Sequence, residues 1–278
     1  MATSDQLLVV IDPVARRTEG ESVRIAKDVL SAGATTKVCL PADPEEFARA
    51  LARRGSRRPV LIGDDRALVR TVSLLHRRRE LAECVLSVVP VGGLLSVAGS
   101  LGVPTGTVAA ARAVLDGVER RLDLLVDESD GVVLGALRIP PAEPDAPQER
   151  SLDPAAHPWL RTCQTLVRTL APSRPARAAV TGGPARLRVE VDGVTLVDLH
   201  QPVEAVRVVP GRSGTATVEV HPASVGAAAA PLLTTGRTVS VSGADFHYRA
   251  DAAVSGPVRR RTWTVWAGAW GLTVPQQE

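Results

Sequence analysis

Aromatic residues and lysine are both scarce in this chain of 278 residues. Phe, Trp and Tyr together make up 3% of it while hydrophobic residues reach 45%, so the core must consist mainly of Val, Leu and Ala. Lysine occurs only at positions 27 and 37, and the small net charge of +3 comes from arginine. A dispersed excess of this size argues against a nucleic-acid-binding protein, which usually concentrates basic charge on one face. The arginine- and alanine-rich composition is typical of a bacterium with GC-rich DNA.

Cysteines and long apolar runs are few as well. Cys39, Cys84 and Cys163 lie too far apart for a CxxC pair or a disulfide framework, so we expect reduced thiols and a cytoplasmic location. The apolar run Leu7–Ile11 is too short for the core of a signal peptide. Nothing approaches the ~20 apolar residues of a transmembrane helix, and any membrane contact is expected to be peripheral.

Several motifs that usually mark chemistry are missing. The five histidines have no HExxH spacing and form no tight cluster with cysteine, so we expect no metal site. No serine lies in a GxSxG elbow, which leaves a hydrolase triad without support. Neither a Walker A loop nor GxGxxG occurs, which argues against the common P-loop and dinucleotide sites.

The first half of the chain does contain a regular alternation of short apolar strands and helical segments. Strands are predicted near residues 7–11, 37–40, 59–62, 86–89 and 121–126, with helices between them. Asp43-Pro44-Glu45-Glu46 supplies one helix with an N-cap, a proline at its first position and acids in its first turn. This pattern predicts a parallel sheet with helices on its faces.

The alternation ends after Ile139. Residues 140–158 are rich in Pro, Ala, Asp and Glu and indicate an exposed linker, followed by a helix at about Trp159–Leu170. Beyond it the pattern favours antiparallel strands, and Asp192-Gly193 between two of them predicts a hairpin with a type I′ turn. We therefore predict a three-layer α/β domain over residues 1–139 and an antiparallel β-sandwich domain over residues 159–278.

Three loops follow strands of the predicted parallel sheet, at the edge where a phosphate site would lie. They run from Ile11 to Arg16, from Gly63 to Leu68 and from Pro90 to Ser96. Together with Leu101–Pro104 and Leu122–Asp123, their order and spacing resemble the diacylglycerol kinase catalytic family. That family includes bacterial lipid kinases and sphingosine kinases and is distantly similar to NAD kinases. The resemblance implies a nucleotide-binding α/β domain joined to a lipid-binding β-sandwich, with ATP in the cleft.

The loops depart from the family pattern at the residues that hold phosphate and magnesium. Family loops read Asn-Pro-x-Ser-Gly, Gly-Gly-Asp-Gly-Thr and Pro-x-Gly-Thr-Gly-Asn-Asp. The corresponding loops here are Asp12-Pro13-Val14-Ala15-Arg16, Gly63-Asp64-Asp65-Arg66-Ala67 and Pro90-Val91-Gly92-Gly93-Leu94-Leu95-Ser96, and a late Asp-Gly-Glu becomes Asp251-Ala252-Ala253. Glycine lets backbone N–H groups approach phosphate oxygens, so side chains at these positions obstruct the approach.

The matching positions predict a vestigial nucleotide site made of Asp12, Arg16, Gly63, Asp64, Arg66, Gly92, Gly93 and Asp251. Asp65 matches the family aspartate that handles the metal-linked nucleotide or activates the lipid hydroxyl, so the resemblance makes it the candidate catalytic residue. The alternative is that Asp65 caps the helix Arg66–Arg79. Asp251 is equally compatible with an ordinary turn, and Asp123 with steadying the edge of a strand.

Two further groups of residues have alternative interpretations. Arginines at 53–58, 77–79 and 259–261 could contact anionic lipid headgroups, or they could form a solvated face. Trp263, Trp266 and Trp270 could line an acyl cleft, or they could belong to the sandwich core with their indole N–H groups hydrogen-bonded.

These observations favour a degenerate lipid-kinase-like protein without phosphotransferase activity, a binding or regulatory protein whose ligand is a lipid, a nucleotide-like anion or a protein partner and for which no cofactor is predicted. The first alternative is a divergent active lipid kinase that uses ATP and Mg²⁺, with Arg16 and Arg66 as replacement phosphate ligands. The second is a structural or interaction protein that has no ligand.

Overall fold

The computed structural model describes residues 6–141, 184–223 and 230–276. The elements up to residue 139 are β1 (Gln6–Ile11), α1 (Pro13–Thr18), α2 (Gly20–Gly33), β2 (Thr35–Cys39), α3 (Pro44–Ala52), β3 (Arg58–Gly63), α4 (Asp65–Arg77), β4 (Val85–Pro90), α5 (Ser96–Ser100), α6 (Thr107–Asp116), β5 (Val118–Asp127), β6 (Val132–Val133) and β7 (Leu137–Ile139). After the gap follow β8 (Leu187–Val191), β9 (Val194–Val197), β10 (Val203–Pro210), β11 (Ala216–Pro222), β12 (Leu232–Gly236), β13 (Thr238–Ala250) and β14 (Ala253–Val274).

The first four strands form a parallel sheet in the order β4-β3-β1-β2. Alternate residues of β1 enter different cores, because successive side chains of a strand point to opposite faces. Leu8 and Val10 pack with Phe47 of α3 and Leu68 of α4. The odd-numbered residues of β1 pack with Ala26 of α2 and with α6. The predicted three-layer α/β arrangement is confirmed.

The later strands are antiparallel and enclose a second core. The first half of β13 pairs with β8, whereas its end pairs with β7, which leads on to β10, β11 and β12. Irregular pairing with β14 between Ser242 and Tyr248 marks the point where the strand passes from one group to the other. Val189 and Val241 from the first group pack with Val208 and Val218 from the second. The predicted combination of a parallel and an antiparallel part is confirmed.

Strand β14 joins the two parts of the molecule. It pairs with β13, then with β5, and at Gly271 and Leu272 it pairs in parallel with β4. Trp263 lies in the second core, and Trp270 and Leu272 lie in the first. Both cores therefore depend on one continuous strand.

The predicted hairpin is confirmed, with the turn residues Asp192 and Gly193 at φ of 50° and 81°. The predicted helix at Trp159–Leu170 lies outside the described residues, as does the linker except for its first two residues. The bounds of the two predicted domains stay a prediction. Strands β5 and β7, which lie within residues 1–139, pair with strands of the second part. Within the described ranges, no helix has the length and apolarity needed to cross a membrane.

Candidate functional site

The three loops meet at one edge of the parallel sheet, because β1, β3 and β4 are neighbours that end there. Their backbones are directly linked: Asp65 N donates to Leu94 O at 2.8 Å, and Val91 N donates to Gly63 O at 3.0 Å. A Cβ atom on Gly63 would lie 2.9 Å from Cβ of Ala67 and 3.0 Å from Cβ of Asp12. The site loops are therefore packed tightly against one another, and Gly63 is required by this close approach.

Asp12 is buried and fully engaged within the protein. Its carboxylate caps α1, accepting from Val14 N at 3.0 Å and from Ala15 N at 3.4 Å. It also forms an ion pair with Arg70 of α4, whose guanidinium lies over the ring of Phe47. A capping carboxylate satisfies N–H groups that would otherwise lack an acceptor at the start of a helix. Asp in place of the family's Asn therefore adds the salt bridge, whereas the cap is one that Asn could also provide.

Asp64 and Asp65 have separate roles that the sequence did not distinguish. Asp64 caps α4, since its backbone is extended and its carboxylate accepts from Ala67 N at 3.0 Å. The alternative prediction that Asp65 caps this helix is wrong. Asp65 already lies in the first turn of α4, so its carboxylate points away from that helix's N–H groups and towards another element.

The carboxylate of Asp65 binds the start of α5. It accepts from Val97 N at 2.9 Å, from Ala98 N at 3.0 Å and from the hydroxyl of Ser96 at 3.2 Å. Asp65 is buried, which raises the pKa of its carboxyl, and the three donors oppose that rise. The candidate catalytic residue is therefore held by a short helix.

Asp251 makes a similar set of contacts from the turn between β13 and β14. Its backbone is left-handed, with φ of 51°, and its carboxylate accepts from the N–H groups of Leu134, Gly135 and Ala136 at 2.7–2.9 Å. Burial raises the pKa of Asp251 to about 6, and the negative charge of Asp65 adds to the rise. The acids from the two predicted domains are thus close enough to interact.

These four carboxylates share one property. Each accepts hydrogen bonds from backbone N–H groups at a helix start or in a loop. Such groups are the usual donors to phosphate oxygens in proteins. The chain's own acids therefore occupy donors that a phosphate would need.

Two adjoining cavities of about 370 and 160 Å³ lie beside Asp251 and share Ser96, Val97 and Arg249 on their walls. Arg66 and Leu94 border the smaller cavity. The larger one has an apolar part that includes Val97, Leu101, Leu134, Val209 and Pro210. We call these two cavities together the cleft.

Three arginines line the larger cavity in a single row. Arg207 of β10 is paired directly with Arg138 of β7, and Arg138 is paired in turn with Arg249 of β13. Arg207 also lies 3.9 Å from the carboxylate of Glu219. Paired positions on neighbouring strands bring side chains close together, so the row places three guanidinium groups on one wall of the cavity. Sequence analysis missed these residues because they are scattered along the chain and only strand pairing brings them together.

The remaining predicted site residues lie outside this cluster of contacts or shape its turns. Arg16 is exposed on α1. Gly92 has φ of 134°, and a Cβ there would lie 3.0 Å from Cβ of Asp64. Gly93 is exposed, with open space around it. Asp123 accepts from Gly214 N and Gly268 N, both at 2.7 Å, and so steadies two turns.

Neither the three tryptophans nor the clustered arginines share one environment in the structure. Trp263 is buried in the second core, as one alternative predicted, whereas Trp270 is buried in the first core and not in the sandwich. Neither indole N–H has a hydrogen-bond partner in the described part of the chain. That detail of the prediction is wrong because their surroundings are apolar. Trp266 is 48% exposed. Several clustered arginines form ion pairs, as Arg54 and Arg78 do with Glu80.

Comparison with known proteins places this geometry in a known architecture. No family model and no curated protein matches the sequence. Three solved structures from Bacillus anthracis, described as diacylglycerol kinases, match with TM-scores of 0.69, 0.68 and 0.68. Each match covers 99% of this chain and 98% of the neighbour. The chain has a diacylglycerol kinase-like fold. This confirms the resemblance seen in the ordered loops; at 11% identity it extends to the fold alone.

Proposed function

We propose that this diacylglycerol kinase-like protein binds an anionic lipid in the cleft and does not transfer phosphate. The observation that carries the proposal is the occupation of backbone donors by the chain's own acids. Asp12, Asp64 and Asp65 accept from the N–H groups at the starts of α1, α4 and α5. Phosphoryl transfer depends on positioning and on stabilisation of charge by such donors, so their engagement argues against catalysis.

ATP and Mg²⁺ fit these residues poorly. A phosphate would have to displace a carboxylate from its N–H partners and then remain beside it. Two such charges ~5 Å apart repel by on the order of 3 kcal/mol at an effective dielectric constant of about 20, which is roughly a hundredfold in affinity. Mg²⁺ in kinase sites is held largely by the phosphates of the nucleotide, so a poor fit for the triphosphate also removes the ion's main ligands.

The arginine row supports the part of the proposal that concerns binding of an anionic lipid. Arg138, Arg207 and Arg249 line a cavity whose other walls include apolar side chains such as Leu101 and Leu134. Guanidinium groups bind phosphate through paired hydrogen bonds, and apolar walls accept the adjoining hydrocarbon. A glycerolipid with a phosphate headgroup combines both features. A cytoplasmic setting, with free Cys39 and Cys84, belongs to the same proposal.

Calorimetry with short-chain lipids tests this directly. We expect dioctanoyl phosphatidic acid to bind saturably, and dioctanoylglycerol, which has the same chains without phosphate, to bind more weakly. Arg207→Gln should weaken phosphatidic acid binding at least about tenfold, since hydrogen bonds to charged groups contribute ~1.5–3 kcal/mol. Arg188→Gln is the matched control, because Arg188 is exposed on β8, carries an ion pair with Glu190 and lies outside the cleft. Equal loss in both variants, or no saturable binding, would contradict the proposal and favour a structural protein without a ligand.

The second candidate function is a divergent active lipid kinase. It is favoured by the exposed Arg66, which borders the same small cavity as Asp65 and could serve as a phosphate ligand. Under this alternative, the wild-type protein would bind ATP with Mg²⁺ and transfer phosphate to dioctanoylglycerol, and Asp65→Ala would abolish the transfer. We expect no transfer.

A further inference from the structure

A second, larger cavity lies away from the cleft, where the end of α4 meets β14. It has a volume of about 850 Å³ and is bordered by His76, Arg77, Arg79, Asp130 and Trp266, together with small and apolar residues. Its size lies in the range of small-molecule sites in proteins, roughly 300–1,000 Å³. None of these residues takes part in the contacts described for the cleft.

The backbone at Arg79 is unusual. Arg79 has φ of 59° and ends α4, with its N–H donating to His76 O at 2.8 Å while Glu80 N donates to Leu75 O at 2.9 Å. A helix that ends in this way usually has glycine at the left-handed position, because a side chain there is strained. Asp130, on the opposite wall, is also left-handed, with φ of 58°. Strained residues that cluster in one place often serve a ligand rather than the fold.

Trp266, on the wall of this cavity, is exposed in an equally unusual way. Trp263 and Trp270 of β14 are completely buried, whereas Trp266 between them is 48% exposed. The ring of His76 packs edge-on against Trp266 at 5.0 Å between centroids. His76 is buried, its Nε2 lies 3.8 Å from the carboxylate of Asp130, and its imidazole forms no hydrogen bond within the described ranges. The cavity thus offers an indole surface and an available imidazole.

We propose that this cavity binds a mononucleotide-like ligand, a planar aromatic ring linked to a phosphate. Aromatic side chains stack with nucleobases, so Trp266 is the surface for the ring. Arg77 and Arg79 supply guanidinium groups for the phosphate, against a single carboxylate from Asp130. Asp130 and His76 can accept from or donate to hydroxyl and amino groups, as a ribose or a base presents. This inference is independent of the lipid proposed for the cleft.

Titration calorimetry with AMP and UMP tests the proposal, with adenosine and inorganic phosphate as ligands that carry only the ring or only the charge. We expect both nucleotides to bind saturably and more tightly than either partial ligand. Trp266→Ala should weaken their binding by roughly 5- to 150-fold, the range measured for loss of base stacking. Arg249→Gln, which alters the cleft, should leave AMP binding unchanged and so separates the two sites.

Arg79→Gly provides the decisive variant, because it separates a role in folding from a role in binding. Glycine relieves the left-handed backbone, so we expect a higher melting temperature than in the wild type together with AMP affinity at least about tenfold lower. Three outcomes would overturn the proposal: no saturable binding of AMP or UMP, AMP binding that is unchanged in both Trp266→Ala and Arg79→Gly, or binding that is lost in Arg249→Gln.

Discussion

At the scale of single residues, the carboxylate of Asp251 is the clearest case of a group whose surroundings act on its pKa in opposite directions. Three backbone N–H groups favour its ionised form, but burial and the nearby charge of Asp65 disfavour it more strongly. The net result is a pKa raised from 3.8 to about 6. The protonation state of this turn residue therefore affects both the charge of the cleft and the free energy of unfolding.

The raised pKa of Asp251 predicts that the free energy of unfolding depends on pH. Between about pH 4 and pH 6, Asp251 keeps its proton in the folded chain and has lost it in the unfolded chain. The stability that it contributes is therefore complete below about pH 4 and is lost as the pH rises through 6, by roughly 3 kcal/mol. Asp251→Asn removes this loss, so the free energy of unfolding of the variant minus that of the wild type should increase across the interval. Urea denaturation at a series of pH values measures the difference, and parallel curves would contradict the assignment.

Gly63 gives a second prediction at this scale. Because a Cβ at Gly63 would lie within 3.0 Å of both Ala67 and Asp12, Gly63→Ala forces the first two loops apart. We expect the free energy of unfolding to fall by about 1–3 kcal/mol, as for other overpacked sites. Gly93→Ala is the matched control in the third loop, where nothing lies within 4 Å and the change should be nearly neutral. Equal effects of the two substitutions in thermal denaturation would show that the loops are looser than described.

The sequence identified the positions of these residues but not their partners. Asp64 and Asp65 are adjacent, and either could cap a following helix by the same local rule. What separates them is the direction of each carboxylate, since Asp65 reaches Val97 and Ala98, more than thirty positions along the chain. Contacts of this range depend on how the loops pack, and no local pattern encodes them.

At the scale of elements, α5 is the helix most dependent on a distant side chain. It has five residues, and its own N-cap, Leu95, provides no side-chain acceptor. The carboxylate of Asp65 supplies that acceptor from α4. An isolated helix of this length is not stable in water, so its position beside the cleft depends on this contact.

Removal of the contact should therefore be costly. Asp65→Ala leaves the buried N–H groups of Val97 and Ala98 without an acceptor, and we expect a loss of about 2–4 kcal/mol in the free energy of unfolding. Asp64→Ala, which removes an ordinary cap from α4, should cost about 1 kcal/mol. Chemical denaturation of both variants checks the order, and hydrogen exchange should show faster exchange in α5 for Asp65→Ala alone. The assignment is wrong if Asp64→Ala is the more damaging change.

Elements defined by local signals were predicted well, and elements that depend on distant pairing were not. The hairpin of β8 and β9 follows from Asp192-Gly193, because few residues tolerate two left-handed positions in succession. Strand β14 extends from Ala253 to Val274, a length that no local pattern in this segment predicts. Gly256, Pro257 and Gly268 interrupt its alternation, and pairing with β13, β5 and β4 maintains the strand across them.

At the scale of the whole molecule, the cleft results from assembly and not from any one segment. Its acids and Arg66 come from segments that the sequence marked, but the arginines of its larger cavity come from β7, β10 and β13, which carry no motif. The sequence could therefore predict the fold and show that the loops lack the family residues that hold phosphate and magnesium. It could not identify the arginine row, because register across strands from different parts of the chain is a property of the folded sheet.

Because β14 contributes side chains to both cores, the two parts should unfold together. Leu272 is completely buried in the first core, and Leu272→Ala should lower the free energy of unfolding by about 2–5 kcal/mol. If the parts are coupled, hydrogen exchange should speed up equally in β3 of the first core and in β8 of the second, although Leu272 lies in neither. Val218→Ala in β11, which lies in the second core, is the reciprocal test and should also accelerate exchange in β3. If exchange changes only in the mutated core, the two parts unfold as independent units. In that case β14 connects the parts without making their unfolding cooperative.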